Sequence, residues 1–176
     1  MPVTDTAGRT IFYQDPSRRN YAKYSWRQEL MALWYLVETI AEDPVRGKKG
    51  YVILVNTKHY NRPSQVSQEF IKRLYPIIDT ALPARVRAGH LCNASPLLPS
   101  IKPFYSRNLR LRVKIHTGST DEILRELALF CLPKNRIPTE LGGDVVIDMF
   151  QWTTERMRVE GARNDIRAAK RARADI

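Results

Sequence analysis

The chain has 176 residues, of which 43% are hydrophobic and 27% charged, a composition typical of a folded globular domain. Lysine and arginine outnumber aspartate and glutamate by 29 to 18, which gives a formal net charge of +11. Two cysteines exclude a disulfide scaffold, and the densest apolar run, residues 30–37, is shorter than the roughly 20 residues of a membrane span. Because the first residues lack the apolar core of a secretory signal, we expect a cytoplasmic protein with an anionic partner.

The first half of the chain predicts a strand, a helix and a second strand. Residues 8–13 are typical of a short strand that follows a turn. Ser25 and Gln28 have the spacing of a capping box, and the apolar residues behind them recur three and four positions apart, as on one face of a helix. Residues 51–55 form a continuous β-prone run, which favours a strand buried on both faces of a parallel sheet.

Next along the chain we expect a second helix, which Pro63 and Ser64 begin and in which Pro76 produces a kink or an end. Residues 85–92 and residues 111–116 both alternate in the manner of strands. The alternation places Val86, Ala88, His90 and Cys92 on one side of the first of these, and Arg112, Lys114 and His116 on one side of the second.

The region between these two strands carries three prolines, which argues against a long helix there. Ser119 and Glu122 provide a second capping box, and the pattern predicts a final helix from about residue 148. This order of elements predicts an α/β fold, with a mixed, mostly parallel sheet covered by helices. We expect one domain over residues 1–152, followed by a basic C-terminal helix or disordered arm over residues 153–176.

The basic charge is concentrated in two segments. Residues 80–120 contain no acidic side chain, and residues 156–176 hold a second excess of lysine and arginine. Outside these segments the acidic and basic side chains balance, so the sequence describes a neutral body with two basic regions. The basic side chains of the first region are Arg85, Arg87, Lys102, Arg107, Arg110, Arg112 and Lys114.

The chain lacks the common catalytic and phosphate-binding motifs, including G-x-G-x-x-G, the P-loop, G-x-S-x-G and H-E-x-x-H. His90 and His116 lie in predicted strands and are interpreted as structural side chains, and Cys92 as a small core residue. None of the histidines has a second ligand at metal-binding spacing. The sequence therefore predicts a protein that is not an enzyme and has no cofactor or bound metal.

Several segments, taken in order, resemble the CRAL-TRIO lipid-binding domain family, which includes tocopherol- and retinaldehyde-binding proteins and yeast phosphatidylinositol-transfer-like proteins. Each motif is weak alone, but their order and spacing match over about residues 5–152. The segments are DTAGRTIFY (residues 5–13), GYVILVN (50–56), LPARVRAGHLCN (82–93), IKPFY (101–105), and LP (132–133) followed by IPTELGG (137–143).

The resemblance implies a sheet that forms the floor of a lipid pocket, closed by a mobile gate. On the helix side of the pocket it implies lining by Leu74, Ile77, Ile78 and Leu82. The gate would follow Asn93 and contain Pro96, Leu97, Leu98, Pro99, Ile101, Phe104 and Tyr105. The expected partners are a hydrophobic lipid ligand and an anionic membrane surface, with transient association to that membrane.

The same resemblance implies that the basic residues of the acid-free segment meet the membrane. Arg85 and Arg112 fall on two positions of the basic cleft that contacts phosphoinositides in tocopherol- and retinaldehyde-binding members, and Asn108 occupies a third. Ala84 and Asp121 or Glu122 depart from the phosphatidylinositol head-group pattern, so that specific site is not expected.

Two other functions stay open at this point. The gate span is about one helical turn shorter than the family pattern, which favours a ligand-free module for membrane or protein recruitment. The basic C-terminal segment suggests a nucleic-acid-binding arm, although an aromatic platform for bases is lacking. The family motif begins at Asp5, so we also expect no preceding helical module.

Overall fold

The computed structural model describes residues 3–101, 103, 105 and 107–174. The chain divides into two compact units, a body that ends at Val145 and a C-terminal unit that begins at Val146. In chain order the elements are β1 (Thr10–Gln14), α1 (Trp26–Ala41), α2 (Pro44–Lys49), β2 (Tyr51–Asn56), α3 (Gln68–Thr80), β3 (Val86–Cys92), α4 (Leu98–Ile101), α5 (Arg107–Arg112), β4 (Val113–His116), α6 (Thr120–Ala128) and α7 (Met149–Ala174).

The four strands form one sheet in the order β1-β2-β3-β4, and each pair of neighbours is parallel. Helices connect each strand to the next, as parallel pairing requires. Antiparallel pairing among the described residues is confined to a single bridge between Thr4 and Thr10. The predicted α/β class with a mostly parallel, helix-covered sheet is confirmed.

β2 lies between two hydrophobic clusters, one on each face of the sheet. Tyr51 and Ile53 belong to the cluster on the side we call the front face. Val52 and Leu54 are fully buried in the cluster on the opposite side, the back face. Because successive side chains in a strand point to opposite faces, a continuous apolar run is what a doubly buried strand needs, and this prediction is confirmed.

The front face is covered by α1, α3 and α5. Their buried side chains are Val37, Ile40, Phe70, Ile71, Leu74, Ile78 and Leu109. The predicted capping box begins α1, since Gln28 N donates to Ser25 Oγ and Ser25 N donates to Gln28 Oε1. Ser67, rather than Pro63, caps α3, and this helix continues through Pro76 instead of ending there.

The back face is covered by α6 and the segment that follows it. Ser119 and Glu122 form the predicted second capping box at the start of α6. Ile123 and Leu127 project from this helix onto the sheet, and their cluster is completed by Leu132, Ile137 and Leu141. Leu127, Leu132 and Ile137 have no exposed surface, so this cluster is tightly packed.

The structure corrects two strand predictions. Leu111 and Arg112 belong to α5, because this helix continues past the buried Leu109 and β4 pairs with β3 only from Val113 onward. The predicted common face of β3 is interrupted, since Tyr51 pairs with Val86 but Val52 pairs with Ala88, which leaves Arg87 as a bulge. Val86 therefore packs in the front cluster, whereas Ala88 packs in the back cluster.

The C-terminal unit contains α7. The Asp148 carboxylate accepts a hydrogen bond from Gln151 N at the start of this helix, and Arg158 pairs with Glu155 one turn apart. The predicted boundary at residue 152 lies within α7. In the part of the chain that the structure describes, no helix combines the length and apolar character needed to cross a membrane.

Candidate functional site

A cavity of about 100 Å³ lies in the front cluster. Residues of all four strands and of α1, α3 and α5 line it, and most of the lining is apolar. Ile53, Leu91 and Val113 line it from the sheet, and Phe70 and Ile71 line it from α3. The sheet floor exists because alternate residues of the parallel strands face the same side.

Three of the four predicted pocket residues line this cavity. They are Leu74 and Ile78 of α3 and Leu82, which follows the helix. The fourth, Ile77, is half-buried and packs against the same cluster, but it is not among the lining residues. The helical period explains the difference, because residues four apart share a face and the neighbouring position points away from it.

The predicted gate residues take several positions. Leu98 and Tyr105 line the cavity, and Leu97 packs against the front cluster. Pro96 and Pro99 are exposed. The side chain of Ile101 and the whole of Phe104 and Lys102 lie outside the described residues.

The start of the gate segment is attached to the loop that follows β2. Ser95 Oγ donates to the carbonyl of Tyr60, and Leu97 N donates to Ser95 Oγ at 3.1 Å. Thr57 Oγ1 donates to the carbonyl of Asn93. The only helix within the gate is the four-residue α4, as the three prolines predict.

One end of the cavity carries polar side chains. Arg19 and Tyr60 line this end, together with Tyr75 and Tyr105, whose rings pack edge to face at 4.9 Å between centroids. Arg19 Nε lies 2.7 Å from Glu29 Oε1, so its charge is paired. Burial raises the pKa of the Tyr75 hydroxyl well above its usual value, and the nearby Tyr105 hydroxyl adds to this shift.

The basic residues of the acid-free segment do not form a single free patch. Arg87 donates to the carbonyls of Lys48 and Lys49 and thereby caps the end of α2. Arg110 Nε donates to the Tyr105 carbonyl at 3.1 Å, and Arg112 Nη1 donates to the Val86 carbonyl at 3.2 Å. These guanidinium groups hold the backbone near the gate and at the start of β3 while keeping their positive charge.

The other predicted basic residues differ in their surroundings. Arg85 precedes β3 and is exposed, next to the Val86 carbonyl that Arg112 binds. Arg107 is exposed at the start of α5. Lys114 Nζ lies 5.6 Å from the centroid of the Phe130 ring, in a cation–π contact. This contact is on the back face, because Lys114 is adjacent to Val113, which lines the front cavity.

Comparison with known proteins agrees with this arrangement. A family model described as the divergent CRAL/TRIO domain matches residues 8–149, which is most of the chain. The chain belongs to the divergent CRAL/TRIO domain family. The earlier resemblance, based on segments between residues 5 and 143, is therefore confirmed.

Two relatives of this CRAL/TRIO chain illustrate its neighbourhood. It is 23% identical over 159 residues to an alpha-tocopherol transfer protein-like protein of Mus musculus, an alignment that covers 86% of this chain and 45% of the relative. It is 24% identical over 155 residues to clavesin-1 of Rattus norvegicus, covering 84% of this chain and 42% of the relative. The chain thus spans less than half of the length of these curated relatives.

The back face of the CRAL/TRIO sheet contains a buried chain of hydrogen bonds. Glu126 Oε2 lies 2.7 Å from His116 Nδ1, and His116 Nε2 lies 2.9 Å from His90 Nδ1. Both imidazoles are buried, in agreement with their interpretation as structural side chains. Burial, followed by the neighbouring His116, lowers the pKa of His90 to about 4. Burial raises the pKa of the Cys92 thiol to about 12, as expected for a core cysteine.

Sequence reasoning missed several residues that the CRAL/TRIO fold brings to the front side. Arg19 and Tyr60 lie in loops, where no hydrophobic period marks a buried position. Leu111 was assigned to a strand, but it lies on α5 with 82% of its surface exposed. Its arginine-rich surroundings in the sequence are the only signal that could have identified it as a surface residue.

Proposed function

We propose that this domain binds a hydrophobic lipid in the front cavity and transfers or presents it at anionic membranes. The observation that carries the proposal is an apolar cavity between the sheet and the proline-rich gate, in a chain of the CRAL/TRIO family. The name of the Mus musculus relative describes a transfer protein for a hydrophobic molecule, which supports the same function here. The proposed activity is binding and transfer, without a catalytic step.

Uptake of a lipid requires the gate to move. Pockets for small-molecule ligands usually measure about 300–1,000 Å³, whereas this cavity measures about 100 Å³. Leu98 and Tyr105 close it, and α4 is the only regular structure in the segment between Asn93 and Tyr105. Outward movement of these two side chains would join the cavity to the surface and enlarge it.

The membrane surface that we propose lies around α5. Leu111 is 82% exposed, and the exposed Arg107 and Arg110 are its neighbours on this helix. Each basic residue near an anionic leaflet contributes about 1 kcal/mol. A few such residues and one apolar side chain support transient docking, and Arg85, Arg87, Arg112 and Lys114 add to the positive field. Lys102 belongs to the same sequence segment.

The small cavity also supports a second candidate function. A domain that stays closed would serve as a ligand-free module that recruits other molecules to membranes. The basic surface and the CRAL/TRIO fold suit either function, so lipid content separates them.

Native mass spectrometry of the purified protein, before and after incubation with lipid vesicles, tests the proposal. We expect a bound lipid mass in the wild type and its loss in Leu74→Trp, which fills the cavity. Leu129→Trp is the matched control, because Leu129 is 82% exposed and does not line the cavity. A folded wild type that never carries lipid would contradict lipid binding and favour the recruitment module.

A further inference from the structure

The hydroxyl of Tyr60 is the unexplained polar group of the cavity. Tyr60 lines the cavity and has only 2% of its surface exposed. Its hydroxyl is buried and has no hydrogen-bond partner among the described residues. A buried polar group without a partner costs about 1–3 kcal/mol, so nearly all such groups in folded proteins are paired.

The position of Tyr60 is set by its backbone. Tyr60 N donates to the Thr57 carbonyl at 3.1 Å, and the Tyr60 carbonyl accepts a hydrogen bond from Ser95 Oγ. The ring therefore lies at the junction between the loop after β2 and the start of the gate. A ligand held by this hydroxyl would have one end next to the segment that must move for uptake.

The nearby polar groups already have partners. Arg19 Nε pairs with Glu29 Oε1 at 2.7 Å, and the Tyr21 hydroxyl donates to Glu29 Oε2 at 2.6 Å. Tyr75 is hydrogen-bonded to Tyr105. Tyr60 is thus the cavity side chain that offers an unused hydroxyl.

The charge at this end is balanced. The positive Arg19 lies against the negative Glu29, so the pair has no net charge to attract an ion. A carboxylate or phosphate in this space would lose its hydration and approach Glu29, and burying a charge without a partner of its own is costly. An uncharged oxygen avoids this cost and still satisfies Tyr60.

We propose that the cavity selects a lipid whose polar end is a single uncharged oxygen, a hydroxyl or carbonyl, and that Tyr60 binds this oxygen. The apolar body of the lipid would then lie along Leu74, Ile78 and Leu82. This inference rests on the proposed lipid binding, but it adds the chemical class of the ligand and the side chain that recognises it.

Three probes with the same C18 chain test the inference: oleyl alcohol, oleic acid and octadecene. Each is presented in neutral vesicles to the full chain, and the bound fraction is measured by native mass spectrometry. We expect the wild type to bind the alcohol on the order of fivefold better than the hydrocarbon, as one neutral hydrogen bond allows. The acid should bind less well than the alcohol.

Tyr60→Phe should lower binding of the alcohol to the level of the hydrocarbon and leave binding of the hydrocarbon unchanged. Its melting temperature should not fall, because the substitution removes a hydroxyl that has no partner. Tyr24→Phe is the matched control, since the Tyr24 hydroxyl accepts a hydrogen bond from Asn20 N and Tyr24 does not line the cavity. This control should bind all three probes as the wild type does.

Equal binding of the alcohol and the hydrocarbon by the wild type would overturn the inference and leave lipid binding intact. So would stronger binding of the acid, or a Tyr60→Phe variant that still prefers the alcohol. If no probe binds to the folded wild type, the proposed function itself fails, and this inference fails with it. The wild-type comparison decides these points even if the variant folds poorly.

Discussion

The front and back faces of the sheet are built from the same strands, yet only the front face contains the lipid-sized opening proposed here. On the back face, α6 begins with a capping box and is followed closely by the segment that carries Leu132 and Ile137, both without exposed surface. On the front face, the proline-rich segment between Asn93 and Tyr105 completes the cover. A regular amphipathic helix packs closely on a sheet, whereas a segment that cannot form a long helix leaves space.

The polar groups follow the same division. The buried histidines of the back face are linked to each other and to Glu126, so this side serves stability. The front cavity keeps the unpartnered Tyr60 hydroxyl next to a gate of short elements, which is a costly arrangement for stability alone. Buried polar groups without partners are more readily explained on the side that binds a ligand.

The largest expected effect separates packing on the two faces. Leu127→Ala should destabilise the protein by about 2–5 kcal/mol, because Leu127 is fully buried in the close-packed back cluster. Leu74→Ala should cost less, because Leu74 already borders a cavity and loses fewer contacts. Urea unfolding of both variants measures the difference. Equal losses of stability would show that the front face is as tightly packed as the back.

A pH titration tests the back face alone. The pKa of His90 is lowered from 6.5 to about 4 in the fold, so between these pH values the unfolded chain binds a proton that the folded chain does not. Stability should therefore be complete above about pH 6.5 and decline as the pH falls toward 4, by about 3 kcal/mol from this group. The charged groups near His90 are Asp5, Arg9 and Lys114, with His116 directly bonded.

Urea midpoints measured from pH 7.5 to 4 give the slope, and His90→Gln should flatten it. The exposed His59 provides the control, because His59→Gln should keep the wild-type slope. If His90→Gln and the wild type decline in parallel, the acid sensitivity has another source. Lipid binding at neutral pH should not depend on this chain of histidines, since it lies on the other face.

The smallest expected effect concerns the membrane surface on the front side. Leu111→Asp should weaken binding to phosphatidylserine-containing vesicles by about tenfold, because it replaces an apolar contact with a negative charge among arginines. Leu129→Asp is the control, since Leu129 has the same exposed fraction of 82% and follows α6 on the back face. Equal effects of the two substitutions in vesicle sedimentation would contradict a docking surface around α5.

Local signals in the sequence were sufficient for the framework. The apolar run of β2, the capping boxes at Ser25 and Ser119, and the prolines of the gate each act through neighbouring residues, so they are readable without a structure. The family motifs were also readable, because their residues and order are linear. Three predicted pocket residues line the cavity for the same reason, since they follow a helical period and its end.

Only the tertiary structure decided how distant segments meet. The bulge at Arg87, which moves Val86 to the front face, depends on pairing with β2, and the roles of Arg87, Arg110 and Arg112 depend on which carbonyls lie within reach. Arg19 and Tyr60 meet at the cavity from two separate loops. The sequence alone determined the sheet, its helices and its family, because these follow from local periodicity. The cavity, its size and its polar end were decided by contacts between residues far apart in the chain.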